Sequence, residues 1–315
     1  MAFLKLTVGA SAVAAAFASS DTRTGGYVRS KHHFAEHVLS PRPHEVAGFN
    51  FEDLPTGFDW RTHETTLQTS LVTITRNQHV PNCKWCCPRP LLIQPRANPS
   101  TVCCLSWLLT LPRPPTRNTD CGACWAFATT STLADRYRIM TKGTFPQSDL
   151  SMQVLLNCDT DDNGCHGGDY AGAHKYIHDA GGIPDETCQS YEATGHDQGN
   201  TCTDADVCRN CDPKLGCSAT PTFPVWAIDE YGTVNGTTAM KAEISARGPI
   251  ACAIAVTADL VAFKGRTDVF VDSTGTTELD HAIQVAGWGM DESSREYWVV
   301  RNSWGTHWGD QGSPV

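Results

Sequence analysis

Read as a pattern of apolar and polar positions, the chain is helical in its first half and stranded in its second. Between residues 124 and 140, Trp125, Ala128, Leu133 and Tyr137 recur near the helical repeat, uninterrupted by Pro or Gly. A second helix is predicted over residues 150–157 and a third over 170–180, the latter stopped by Gly181, Gly182 and Pro184. Beyond Pro221 the texture changes. Residues 249–256, 282–288 and 297–301 are short apolar or β-branched runs between turns, which predicts strands. Helices first and strands later argue for the α+β class with two lobes.

Three segments fall outside this pattern. Residues 1–20 carry one basic residue, Lys5, then an apolar run from Leu6 to Phe17, and close on Ala16-Phe17-Ala18, which reads as a signal peptide. No other apolar run approaches the roughly 20 residues that span a bilayer. Residues 21–53 are polar, His-rich and weakly periodic, and read as a short propeptide ahead of a domain covering 54–315. Residues 83–119 hold five cysteines and seven prolines without a sustained period, and structureless loops of that length are unusual inside a compact domain.

The net charge of -10 comes with no basic stretch, which argues against a nucleic-acid partner. Fifteen cysteines behind a secretory signal imply disulfides, and the odd count leaves at least one thiol unpaired. Cys124 opens the strongest predicted helix, and a helix N-terminus favours the thiolate, as does a neighbouring imidazolium. Taken alone it reads as half of a disulfide. The string Cys121-Gly122-Ala123-Cys124-Trp125 shifts the reading to a nucleophile. His281 stands at the head of the run 282–288, and Asn302 follows another strand in Arg301-Asn302-Ser303-Trp304-Gly305. An amide that accepts from the imidazole fixes its tautomer, the Cys-His-Asn form of a catalytic triad.

Together with Thr75-Arg76-Asn77-Gln78-His79-Val80-Pro81, Gly164-Cys165-His166-Gly167-Gly168, Ile183-Pro184-Asp185-Glu186-Thr187-Cys188, Asp280-His281-Ala282 and residues 298–309, these motifs carry a resemblance. The chain resembles the papain family of cysteine peptidases, and within it the cathepsin X (cathepsin Z) branch, over most of residues 54–312. That resemblance implies a papain-like fold, with a helical left lobe, a β-barrel-like right lobe and an active-site cleft between them. It implies peptide-bond hydrolysis through a thioester on Cys124, with His281 as base, Asn302 orienting it and Gln78 donating to the oxyanion. Gly168 would pair with the bound peptide, Trp304 would shield the His–Asn bond, and His79 would meet a terminal carboxylate, making the enzyme a carboxypeptidase. Implied disulfides join Cys121 to Cys165, Cys158 to Cys202, Cys188 to Cys208 and Cys211 to Cys217. Neither cofactor nor metal is called for, and the expected partner is a peptide or protein substrate, not nucleic acid or membrane. A monomer in the lysosome or extracellular space is expected, with Asn235-Gly236-Thr237 as a glycosylation sequon.

The chain departs from the family in several places. Gln78 and Cys124 stand 46 positions apart, and leaving out the 37 residues 83–119 brings that to 9, the family's spacing. So clean an excision suggests an in-frame intron carried into the translated sequence. Asp120 stands where the cathepsin X branch has a tyrosine, which weakens the case for carboxylate binding. The family continues into further strands beyond residue 315, and the resemblance puts the partner of Cys252 there. No cysteine precedes Cys83, so a propeptide would block the cleft without a covalent bond. Two other readings compete: a zinc module built on Cys83/Cys86, Cys121/Cys124 and Cys208/Cys211, and a catalytically impaired relative acting as a secreted binding protein.

Overall fold

The computed structural model describes residues 4–7 (backbone only), 26–30, 35–63, 71–79, 121–144, 149–263 and 269–309. Residues 83–119 and 310–315 lie outside them. In chain order the first elements are β1 (Leu4–Thr7), β2 (Phe58–Asp59), α1 (Cys124–Met140), α2 (Met152–Cys158) and α3 (Tyr170–Asp179). After them come α4 (Asp204–Val207), β3 (Arg209–Asp212), β4 (Gly216–Ala219) and α5 (Thr237–Arg247). The chain closes with β5 (Ile250–Ile254), α6 (Ala258–Ala262), β6 (His281–Met290) and β7 (Glu296–Arg301).

Helix α1 is buried on nearly every side, from Cys124 to Arg138. A helix can be enclosed in this way only if its polar side chains find partners inside. Here Thr129 and Thr130 donate back to the carbonyls of Trp125 and Ala126 at 2.9 and 2.8 Å. Around α1 pack α2, α3, Tyr191 and Trp226, the core of the helical lobe. Ser151 caps α2 by accepting from the Val154 amide, and Asp169 caps α3 by accepting from that of Ala171.

The second lobe is organised on β6, buried along nine of its ten residues. One edge of β6 pairs antiparallel with β7. The other edge is shared, β5 taking residues 281–285 and β2 taking Gly287 and Trp288. The chain at Gly287 must be glycine, since a Cβ there would lie 2.1 Å from the Phe58 carbonyl oxygen. β1 borders the far edge of β7, so residues read from sequence as part of a signal peptide run along the sheet. The apolar side chains of this lobe, Trp60, Ile244, Leu260, Ile283, Trp288 and Val300 among them, form a separate core.

Among the described residues four disulfides, Cys121–Cys165, Cys158–Cys202, Cys188–Cys208 and Cys211–Cys217, staple the helical lobe and its loops. They leave Cys124 and Cys252 as free thiols among the described residues. The zinc reading fails on the same facts, because Cys121, Cys208 and Cys211 are each consumed in a different disulfide. Two elements differ from the sequence expectation. The stretch beyond Pro221 contains helix α5, and the cysteine-rich loop holds the exposed ribbon β3–β4, closed by its own disulfide.

The two lobes meet across a buried charge network. The Asp135 carboxylate of α1 accepts from the Thr73 amide at 2.7 Å, the Thr73 hydroxyl at 2.9 Å and the Gln284 amide at 2.8 Å. Arg301 lies 2.9 Å from it and also donates to the Thr73 carbonyl at 2.7 Å. Removing one member of such a pair strands the other charge in the interior. Asp135→Ala is expected to lower the unfolding free energy by about 3–5 kcal/mol, read as a shift of the denaturant midpoint.

Candidate active site

The site forms where the N-terminus of α1 meets the head of β6. Cys124 is the first residue of α1 and is fully buried. Its sulfur accepts from the Ala282 amide at 3.2 Å, and Ala282 is the residue after His281. His281 Nε2 lies 2.7 Å from Asn302 Oδ1. An amide oxygen only accepts, so the imidazole carries its proton on Nε2 and leaves Nδ1 as a lone pair. Nδ1 is buried without a hydrogen-bond partner among the described residues. The Ser303 amide also donates to Asn302 Oδ1, at 2.7 Å, which fixes the asparagine. Trp304 covers this bond, its ring 4.9 Å from the imidazole.

Gln78 reaches the same place from another segment. Its Nε2 donates to the Cys121 carbonyl at 3.3 Å, its Oε1 accepts from the Ser303 hydroxyl at 2.6 Å, and its amide donates to the Ser303 carbonyl. His79 follows, half-buried, with its amide on the Asn77 side chain at 3.0 Å. Asp120 lies outside the described residues.

Residues 26–30 run along the cleft. The Gly26 and Tyr27 amides both donate to the Asp280 carbonyl at 2.9 Å. Gly168 receives Val28 at 3.0 Å and donates to Gly26 at 2.9 Å, a parallel bridge centred on Tyr27. The Tyr27 ring stacks on Tyr170 with centroids 5.3 Å apart. Gly26 presses against Gly122 so closely that a Cβ would fall 2.2 Å from the Gly122 oxygen. Farther on, Glu36 accepts from the Thr233 amide, and the Ser40 hydroxyl donates to Glu230 at 2.6 Å.

The electrostatics follow from this coverage. Burial pushes the Cys124 thiol up to about 12, against the amide of Ala282, and the charge of Asp280 pushes the same way. Burial lowers His281 to about 4, opposed by its bond to Asn302, and His79 lowers it further. Both shifts favour the neutral thiol and the neutral imidazole.

Residues 113–313 match the family described as papain family cysteine protease. The chain belongs to the papain family of cysteine peptidases. Cathepsin Z of Onchocerca volvulus is 34% identical over 297 residues, which cover 93% of this chain and 81% of that protein. Cathepsin L of Sarcophaga peregrina is 34% identical over 196 residues, 61% of this chain and 51% of its own length. Against the latter, then, the chain spans about half the relative. Among solved structures, bromelain from Ananas comosus in complex with the E64 inhibitor aligns with TM-score 0.54 and 28% identity, covering 82% of this chain and 87% of that one. Digestive procathepsin L2 from the Tenebrio molitor larval midgut has the same fold, at TM-score 0.60 and 20% identity over 93% of this chain and 72% of its own.

The papain-family cleft of this chain rests on a feature that sequence reasoning missed. Asp159 and Asp162, both buried, lie in the loop after α2, with their carboxyls in hydrogen-bonding reach of each other. A Cβ on Gly168 would come 2.8 Å from the Asp162 carboxyl carbon, so the pair sits directly beneath the cleft glycine. Burial raises the pKa of both carboxyls, and for Asp162 the charge of Asp159 raises it further. Asp161, Asp169 and His196 face the pair, and the His196 ring lies 3.1 Å from the Asp162 carbonyl.

A carboxyl whose pKa is higher in the folded chain favours folding while protonated and loses that contribution as pH rises through the raised value. Asp162→Asn removes the like-charge conflict, and its Oδ1 can still accept from the Asp169 amide, a bond of 2.7 Å in the parent. The variant is expected to be more stable than the parent by on the order of 1–2 kcal/mol near neutral pH. The gap should close in acid. Thermal melts at about pH 7.5 and about pH 4.5 check this.

Proposed function

We propose that the protein is the precursor of a cathepsin X-like carboxypeptidase, held latent by its own residues 21–53. The observation that carries the catalytic part is the state of His281. Its Nε2 is fixed by Asn302, while its buried Nδ1 has no partner, beside a cysteine at a helix N-terminus. In the proposed reaction the Cys124 proton moves to His281 Nδ1 and the sulfur attacks the peptide carbonyl carbon. Gln78 Nε2 donates to the oxyanion as it forms. The imidazolium then protonates the departing amine, leaving a thioester on Cys124, and later draws a proton from the water that hydrolyses it.

Latency is supported by the parallel run of residues 26–30 on Gly168 and by the depth at which they bury the thiol. No covalent bond is needed for it. Carboxypeptidase action is supported by the likeness to cathepsin Z and by His79, which adjoins Gln78 and whose charge bears on His281. An imidazolium there suits a terminal carboxylate. Four disulfides and the exposed Asn235 suit a secretory route to the lysosome or outside the cell, and among the described residues no helix is long and apolar enough to cross a membrane.

A peptidyl epoxide that alkylates thiolates, followed by mass spectrometry, tests the core of this reading. Cys124 is expected to be the labelled residue, and Gly26→Val to be labelled about tenfold faster or more, equivalent to losing about 1.4 kcal/mol of docking. A chain that stays unlabelled in both forms would leave the impaired, binding-protein reading in its place. The specificity has its own test. His79→Ala should lose activity on peptides with a free C-terminal carboxylate and gain relative activity on amidated ones, whereas equal losses on both would remove His79 from that role.

A further inference from the structure

Gln78 is held at its side chain by Ser303, but its backbone is held from the opposite lobe as well. The Tyr191 hydroxyl donates a short hydrogen bond to the Gln78 carbonyl across 113 positions of sequence. We propose that Tyr191 is a positioning residue for the oxyanion hole, an inference that rests on the donor role given to Gln78 above. It does not touch the substrate. It sets where the Gln78 amide stands relative to Cys124.

Three observations carry this. First, Tyr191 is rigid: its ring is 1% exposed and packs edge-on against Phe127 of α1, centroids 4.9 Å apart and planes at 87°. Phe127 lies on α1 within a turn of Cys124, so the phenol is referenced to the helix that bears the nucleophile. Second, the backbone on both sides of Tyr191 is tied to the start of α2. The Gln189 carbonyl accepts from the Ser151 hydroxyl at 2.7 Å, and the Glu192 amide donates to Gln153 Oε1 at 2.7 Å. Third, the bond has a fixed sense. Burial drives the phenol's ionisation far above its ordinary range, so the oxygen keeps its proton and can only donate to a carbonyl.

The Gln78 peptide is therefore clamped between lobes. Its amide donates to the Ser303 carbonyl at 2.9 Å and its carbonyl receives the Tyr191 hydroxyl. Without the phenol oxygen, the carbonyl is buried with no donor and the peptide is free to rotate toward another. That moves the side-chain amide by a fraction of its length, and a donor displaced from the developing oxyanion loses part of its effect.

Tyr191→Phe keeps the ring and deletes only the oxygen. In the full chain carrying Gly26→Val, kcat on a fluorogenic peptide is expected to fall about tenfold, a share of the 10²–10³ lost when such a donor is removed outright. KM should hold. Alkylation of Cys124 by iodoacetamide should keep its rate and pH profile, since the thiol–imidazole pair is untouched. Affinity for a peptide aldehyde, which adds the thiol across its carbonyl and sets the oxygen in the hole, should fall in proportion to kcat. The deciding measurement is a cycle with Gln78→Ala: on that background Tyr191→Phe should change kcat little. Fluorotyrosine at position 191, which keeps the hydroxyl, should restore the parent values. If the Phe variant folds poorly, 4-aminophenylalanine, which keeps a neutral donor at the same place, should hold kcat where 4-methylphenylalanine, which fills the space without a donor, lowers it. A Tyr191→Phe loss that persists undiminished without the Gln78 side chain, or one confined to melting temperature, overturns the inference alone. A Gly26→Val chain inert to peptide and epoxide would overturn the peptidase reading and this inference with it.

Discussion

Everything at the catalytic centre depends on how α1 is locked to the sheet, and one carboxylate does most of that locking. Asp135 lies three turns along α1 from Cys124. Gln284, which donates to it, lies three residues into β6 from His281, and Arg301 immediately precedes Asn302. Asp135, Gln284 and Arg301 are thus joined through regular structure to Cys124, His281 and Asn302. Thr73 brings in a third segment, the one that continues to Gln78. The network is costly to bury and pays for itself only if every member stays paired. That requirement makes the relative position of helix and sheet a single well-defined arrangement. Cys124 and His281 come from opposite lobes, so a loosely packed interface between those lobes would leave them unable to meet.

The second constraint is closeness. Residues 26–30 are held chiefly by backbone hydrogen bonds to Gly168 and Asp280, and backbone can approach backbone so nearly only where side chains are absent. Gly26 against Gly122 is the point of nearest approach, with Tyr27 filling the adjacent space against Tyr170. The same contact that seals the cleft also sets its chemistry. Cys124 and His281 are both fully buried, and that burial favours the neutral thiol and the neutral imidazole. Steric block and loss of nucleophilicity are then one event.

The parts of this architecture that were legible in the sequence are those with a period or a motif. Helix α1 is read from its 3.6-residue repeat, and β6 from a short, largely apolar run between turns. Helix α5 was missed because its buried positions, Ala239, Ala242, Glu243 and Ile244, include small and charged residues that make no clear stripe. The β3–β4 ribbon was missed because its strands are almost wholly exposed and a disulfide, not an apolar face, holds them. Cys124, His281 and Asn302 stand in recognisable strings. Gln78 and Gly168 acquire meaning only from the family. Nothing local marks Tyr191 or the Asp159–Asp162 pair, whose roles arise from contacts made across the fold.

The long separation of Gln78 from Cys124 illustrates what such contacts achieve. In the structure Gln78 bonds to the Cys121 carbonyl, so the segment joining them leaves and returns at neighbouring points. By chain length alone, closing a connection of 46 positions in place of 9 costs only about 1.4 kcal/mol more, because loop entropy grows with the logarithm of length. Against that stand the bonds of Gln78 to the Ser303 hydroxyl, the Ser303 carbonyl, the Tyr191 hydroxyl and the Cys121 carbonyl, and the Gly305 amide on the Arg76 carbonyl. Five tethers at a net of about 1 kcal/mol each exceed the closure term severalfold. Gln78 is therefore held by the fold around it, and the length of chain that delivers it is a secondary matter.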